Sequence, residues 1–133
     1  MPPRRRIAAD DGRAAVAAWL AARAEDGAEA GSGKVEAGLP RPLLATAVRY
    51  TLEELASRAP GNSVEVRVPP FGVAQCVEGP RHTRGTPPNV VESDAETWLA
   101  LATGRMRWAE ALGSGRLSAS GTRTDLSGLL PLA

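Results

Sequence analysis

The sequence predicts an α+β fold, with a mainly antiparallel sheet of about four to five strands and helices packed on one face. Three observations predict it. Residues 63 to 68, SVEVRV, alternate strictly between apolar and polar, which is the period of a strand with one buried face. Pro69-Pro70-Phe71-Gly72 then forces a turn, and residues 73 to 78 form a return strand, so the two read as a hairpin. Ahead of them Leu44, Val48, Leu52 and Leu55 recur every three or four residues, the buried stripe of an amphipathic helix.

The remaining elements follow in order. Residues 1 to 9 read as a mobile arm. Asp10 or Asp11 starts a first helix running to about Ala24, with Val16, Trp19 and Leu20 on one face and loose packing expected. Residues 25 to 40, EDGAEAGSGKVEAGLP, have the composition of a flexible tether. The chain thus divides into an arm, helix and linker over 1–40 and a main domain over 41–133. Pro42 suits the first turn of the second helix, which ends near Ala59 before Pro60-Gly61. On its wet side Arg49 with Glu53, and Glu54 with Arg58, are spaced as i,i+4 ion pairs.

After the hairpin, residues 79 to 88 are a proline- and glycine-rich loop, and 89 to 92 a short strand. Ser93 and Glu96 have the spacing of a capping box, and Asp94 is a further helix-start residue. Trp98, Leu101 and Ala102 then share a face, and Gly104 is the expected left-handed stop. Residues 107 to 112 carry a second short helix, with Trp108 and Leu112 on one side and Gly113 as its end. Residues 116 to 121 alternate as a last strand, and 125 to 130 form a final amphipathic turn with Leu126, Leu129 and Leu130.

Composition excludes several classes. At 133 residues the chain holds one core. Sixteen basic residues, all arginine but Lys34, stand against fifteen acidic ones, and a net charge of +1 speaks against a nucleic-acid binder. One cysteine, Cys76, permits no internal disulfide, which fits a reducing cytoplasm. No run reaches the roughly 20 apolar residues of a membrane span, and the basic start MPPRRR lacks the apolar segment of a secretory signal. With a single histidine, His82, a zinc site of nitrogen and sulfur ligands cannot be assembled within one chain. GSGK at 31–34 lacks the spacing of a phosphate-binding loop. Cys76 sits in a strand pattern as a small buried hydrophobe rather than a nucleophile. No catalytic residue, metal or cofactor is expected.

From residue 93 the chain runs SDAETWLALATGRMRWAEALGSGRLSASG and closes in a leucine-rich turn. This order of acidic helix start, tryptophan, "ATGR", short helix and "GSGRLSASG" resembles the sterol carrier protein family. It is most similar to stand-alone actinobacterial members and to the C-terminal domain of mycothiol-dependent maleylpyruvate isomerases. The likeness is densest over Thr86 to Leu130. It departs at Thr122, where the family often has an acidic residue. Those isomerases keep their histidine metal site in a separate domain, so isomerase activity is not implied here.

The resemblance implies a non-enzymatic carrier that encloses an apolar or amphipathic, lipid-like small molecule between sheet and helices. Trp98, Leu101, Met106, Trp108, Leu112 and Leu126 are the candidate lining, against core packing as their ordinary use. Arg81, His82 and Arg84, in one loop, are the candidate anchor for a polar head, against a simple solvated loop. The alternative is a structural or interaction module with a filled core, a homodimer or a domain docked on a partner enzyme.

Overall fold

A computed structural model of the chain describes residues 6–25, 39–79, 89–121 and 124–132. The predicted tether and most of the loop carrying Arg81, His82 and Arg84 lie outside the described residues. The elements are α1 (Ala9–Glu25), α2 (Arg41–Arg58), β1 (Val64–Val68), β2 (Gly72–Cys76), β3 (Val90–Ser93), α3 (Ala95–Ala102), α4 (Trp108–Ser114), β4 (Leu117–Ser120) and a closing 3-10 turn, Ser127–Leu129. The four strands form one sheet in the order β2-β1-β3-β4. It is mostly antiparallel, with one parallel pair, β1 beside β3. The fold is the α+β class that the sequence predicts.

Alternation sorts the sheet into a covered and an open face. Val64, Val66, Val68, Cys76, Val91 and Leu117 are buried, while Gln75, Glu92, Ser118 and Ser120 are exposed. Register places Val66 beside Ala74 on one side and Val91 on the other, and Val91 beside Ala119, so the apolar side chains stack across all four strands. The β1–β2 turn contains a cis Pro69-Pro70 bond. Past the end of β2, Val77 is left-handed at φ 68. Its carbonyl accepts from the Ser63 amide and hydroxyl, and its amide donates to Ala59, which turns the chain off the sheet.

α2 is the helix against which α1 and α3 pack. Pro40 and Pro42 set its start, and Leu44, Val48, Leu52 and Leu55 are buried as their spacing predicts. Thr51 is buried as well, because its hydroxyl accepts from the Trp98 indole at 2.8 Å. That bond satisfies the one polar atom of a tryptophan that is otherwise wholly inside. Of the two predicted ion pairs on the helix, Glu54–Arg58 is present at 2.8 Å. In place of the other, Arg49 Nε donates to the Phe71 carbonyl at 2.8 Å, and Glu53 accepts from the amides of Arg6 and Ile7.

α1 corrects the expectation of loose packing. Its buried positions are Gly12, Ala15, Trp19 and Arg23, one stripe at helical spacing, while Val16 and Leu20 are only half-buried. A Cβ at Gly12 would collide with the Tyr50 ring, so glycine there lets α1 approach α2 closely. Farther along, the Glu96 carboxylate accepts from Trp19 Nε1 at 3.2 Å and pairs with Arg23 at 2.7 Å. The Arg23 guanidinium also lies 5.5 Å from the Trp19 ring centroid. Of this stripe only Trp19 is a large apolar residue, and Gly12, Ala15 and Arg23 do not register in an apolar periodicity.

The same pair overturns the predicted capping box. Ser93 ends β3, and the N-cap of α3 is Asp94, whose carboxylate accepts from the Thr97 amide at 2.7 Å. Glu96 is thereby spared for α1. α4 also ends later than predicted: Gly113 lies inside the helix, and Gly115, at φ 79, is its left-handed stop. Leu132, beyond the predicted final turn, is buried, and its amide donates to Ala102 at 2.8 Å.

Removing one partner of a buried pair leaves the other charge unmatched in a poor dielectric. Glu96→Ala is therefore expected to lower stability by about 3 kcal/mol in urea-induced unfolding, and Arg13→Ala, at an exposed pair, by less than about 0.5 kcal/mol.

Candidate functional site

The predicted apolar lining is largely structural in its placement. Trp98 is 0 % exposed and Leu101 and Leu126 are each 1 % exposed. Together with Met106 they belong to one continuous core with the sheet valines and α2 leucines. Trp108 is half-buried against that core. Leu112 points away and is 41 % exposed, because the seven-residue α4 turns Ala111 inward instead. The structure thus brings Trp98, Leu101, Met106 and Leu126 together and leaves Leu112 outside. Arg81, His82 and Arg84 lie outside the described residues.

A groove of about 730 Å³ opens between α2 and the edge strand β2. Its α2 wall is Arg49, Leu52, Glu53 and Ala56. The opposite wall is Phe71 and β2 residues Val73, Ala74 and Gln75, and Arg6 and Ile7 form a third side. None of the described candidate ligand residues, Trp98, Leu101, Met106, Trp108, Leu112 and Leu126, lines it. Leu52 was legible as a core position, but nothing in its spacing separates a core leucine from the floor of a groove. The missed signal is Phe71, the single phenylalanine, placed in a turn where a buried aromatic has no helix or strand period to announce it.

Phe71 is 9 % exposed. Its ring faces the Arg41 guanidinium at 5.1 Å, and its carbonyl takes the Nε of Arg49. Arg49 thus spends one of its five donors on the scaffold, and the rest of its fork stays available to a ligand. Glu53 Oε1 and Oε2 accept from the Arg6 amide at 3.2 and 3.1 Å, and Oε1 from the Ile7 amide at 3.1 Å. The result is an apolar floor with a polar, arginine-bearing rim, the make-up of a small-molecule pocket.

β2 is also an edge strand whose sequence, GVAQC, carries neither charge nor proline. Val73 on its outer face is 59 % exposed. Unguarded edges of this kind are open to strand pairing. Among the described residues no cluster of three His, Cys, Asp or Glu is placed to hold a metal, and no helix is long and apolar enough to cross a membrane.

Residues 40–132 match the protein family described as "Bacterial SCP ortholog". The match covers more than half of the chain, and the protein belongs to this sterol-carrier-like family. The match speaks for the carrier family alone; the likeness to maleylpyruvate isomerases rests on sequence motifs. No curated protein matches the chain. α1 and the segment before it lie outside the matched residues.

Cys76 faces the covered side of the sheet and is 0 % exposed. Burial pushes its thiol up from 9.0 to about 11. The neutral thiol is the form the fold accepts, so its contribution to stability is complete below the ordinary thiol value. It is lost as pH rises through the window from 9.0 to about 11. Native protein at pH 8 should therefore not react with a thiol-specific disulfide reagent over an hour, and should release one equivalent in denaturant. Prompt reaction of the native protein would contradict the burial.

Proposed function

We propose that the protein binds an apolar or amphipathic, lipid-like small molecule in the α2–β2 groove and carries it without chemical change. The groove itself carries this reading: its volume suits a small ligand, its floor is Leu52, Ala56, Phe71 and Ala74, and its rim is charged. Family membership supports a carrier. The family boundary at residue 40 also supports the division into an N-terminal extension and a main domain over 41–133.

Magnitudes bear on the ligand. Burying about 200 Å² of apolar ligand surface at ~25 cal/mol per Å² contributes about 5 kcal/mol. A micromolar complex needs about 8 kcal/mol after association costs are met. Apolar contact along a half-open groove falls short of that, so the rim must hold a polar group of the ligand.

A second reading rests on Val73 and the unguarded β2 edge: pairing of β2 with its copy in another chain would make the protein an interaction module.

Native mass spectrometry distinguishes the two. The carrier reading predicts a monomer that takes up one equivalent of added palmitic acid, and loss of that uptake in Ala74→Phe, which fills the groove while the melting temperature holds. A dimer that takes up none would favour the second reading and contradict the first.

A further inference from the structure

We infer that the N-terminal extension is part of the ligand site: Arg6 and Ile7 complete the groove, and Arg6 with Arg49 selects an amphipathic ligand bearing a single negative charge. This rests on the groove being the ligand site.

The extension is held in place by its own contacts. α1 is fixed to α2 where Gly12 meets the Tyr50 ring, and to α3 where Trp19 and Arg23 meet Glu96. The chain immediately before α1 is then bound about one turn further along the same side of α2, because Glu53 takes the amides of both Arg6 and Ile7. Those bonds use main-chain donors to a carboxylate, which are among the stronger hydrogen bonds. They fix the segment without engaging its side chains. Ile7 is half-buried and adds apolar surface to the groove, and Arg6 stands exposed at its rim. The family match starts at residue 40, so this third side is an addition of this chain to the carrier domain.

Charge narrows the ligand. Among the groove residues Arg6 and Arg49 are positive and Glu53 is negative. The Glu53 carboxylate is already occupied by amide donors, and the two guanidiniums leave one net positive charge for an occupant. A carboxylate matches that charge, and its two oxygens match the planar fork of an arginine. A phosphate monoester would bring a second negative charge against Glu53.

The test is fluorescence titration of the full chain at pH 7 with cis-parinaric acid and with its methyl ester, which differ in the head alone. The wild type is expected to bind the acid about tenfold tighter than the ester, and laurate to displace the acid better than dodecyl phosphate. Ile7→Ser is expected to weaken both probes about fivefold, through lost apolar contact. Arg6→Gln is expected to weaken the acid alone with its melting temperature unchanged, Arg49→Gln to weaken the acid more than the ester with a lower melting temperature from the lost Phe71 bond, and Arg13→Gln to bind both probes as the wild type does.

If the wild type binds both probes and Ile7→Ser binds them equally well, the extension is not part of the site, and the carrier reading survives. Equal affinity for acid and ester, or stronger displacement by dodecyl phosphate, would overturn the single-anion selection. Failure of the wild type to bind either probe would remove the groove as ligand site and this inference with it.

Discussion

The Glu96 carboxylate is the contact on which the arrangement of the molecule depends. It lies at the first turn of α3, where a negative charge is favoured by the helix dipole. From there it gathers the Trp19 indole and the Arg23 guanidinium. Besides it, α1 is held by the burial of Ala15 and Trp19, by the half-buried Val16 and Leu20, and by the close approach of Gly12 to Tyr50. With it, α1 joins the domain at both ends. Desolvation takes back much of what a buried pair gives, so its main effect is to choose one orientation for α1. That orientation sets where residues 6 and 7 fall.

Inside, the domain is built with few aromatic side chains, and tryptophan does the filling. Trp98 occupies the space between α2 and the sheet and anchors its one polar atom on Thr51. Leu101, Met106, Leu126 and Leu132 belong to the same buried core. The opening lies instead where α2 meets the strand at the edge of the sheet, beside Phe71. Edge position matters: β1 is flanked on both sides, whereas among the described residues β2 has a strand on one side only, and a cleft beside it needs no void inside the core.

Sequence and structure agree where one physical rule acts alone. Residues 64 to 68 had to alternate because one face of the sheet is covered and the other wet, and the α2 leucines had to recur at helical spacing for the same reason. Disagreement comes where two rules compete for one residue. Glu96 fits a capping box by spacing, but a neighbouring Asp94 caps equally well and a distant arginine needs a partner. Gly113 and Gly115 both qualify as a stop, and only the second adopts the left-handed conformation. The groove was illegible for a different reason. Arg6, Glu53 and Phe71 are far apart in sequence and each has an ordinary local role; the packing of α2 on β2 brings Glu53 and Phe71 together, and the segment before α1 adds Arg6.

Whether α1 belongs to the same cooperative unit as the domain is therefore the decisive question. Native-state hydrogen exchange of the full chain answers it, because amides that open only by global unfolding share one free energy. The central amides of α1, around Ala15 to Trp19, should be protected to the same level as those of α2. Exchange of the α1 amides a hundredfold or more faster, with α2 still protected, would mean that the helix opens on its own, and that the Glu96 contact does not hold the extension to the domain.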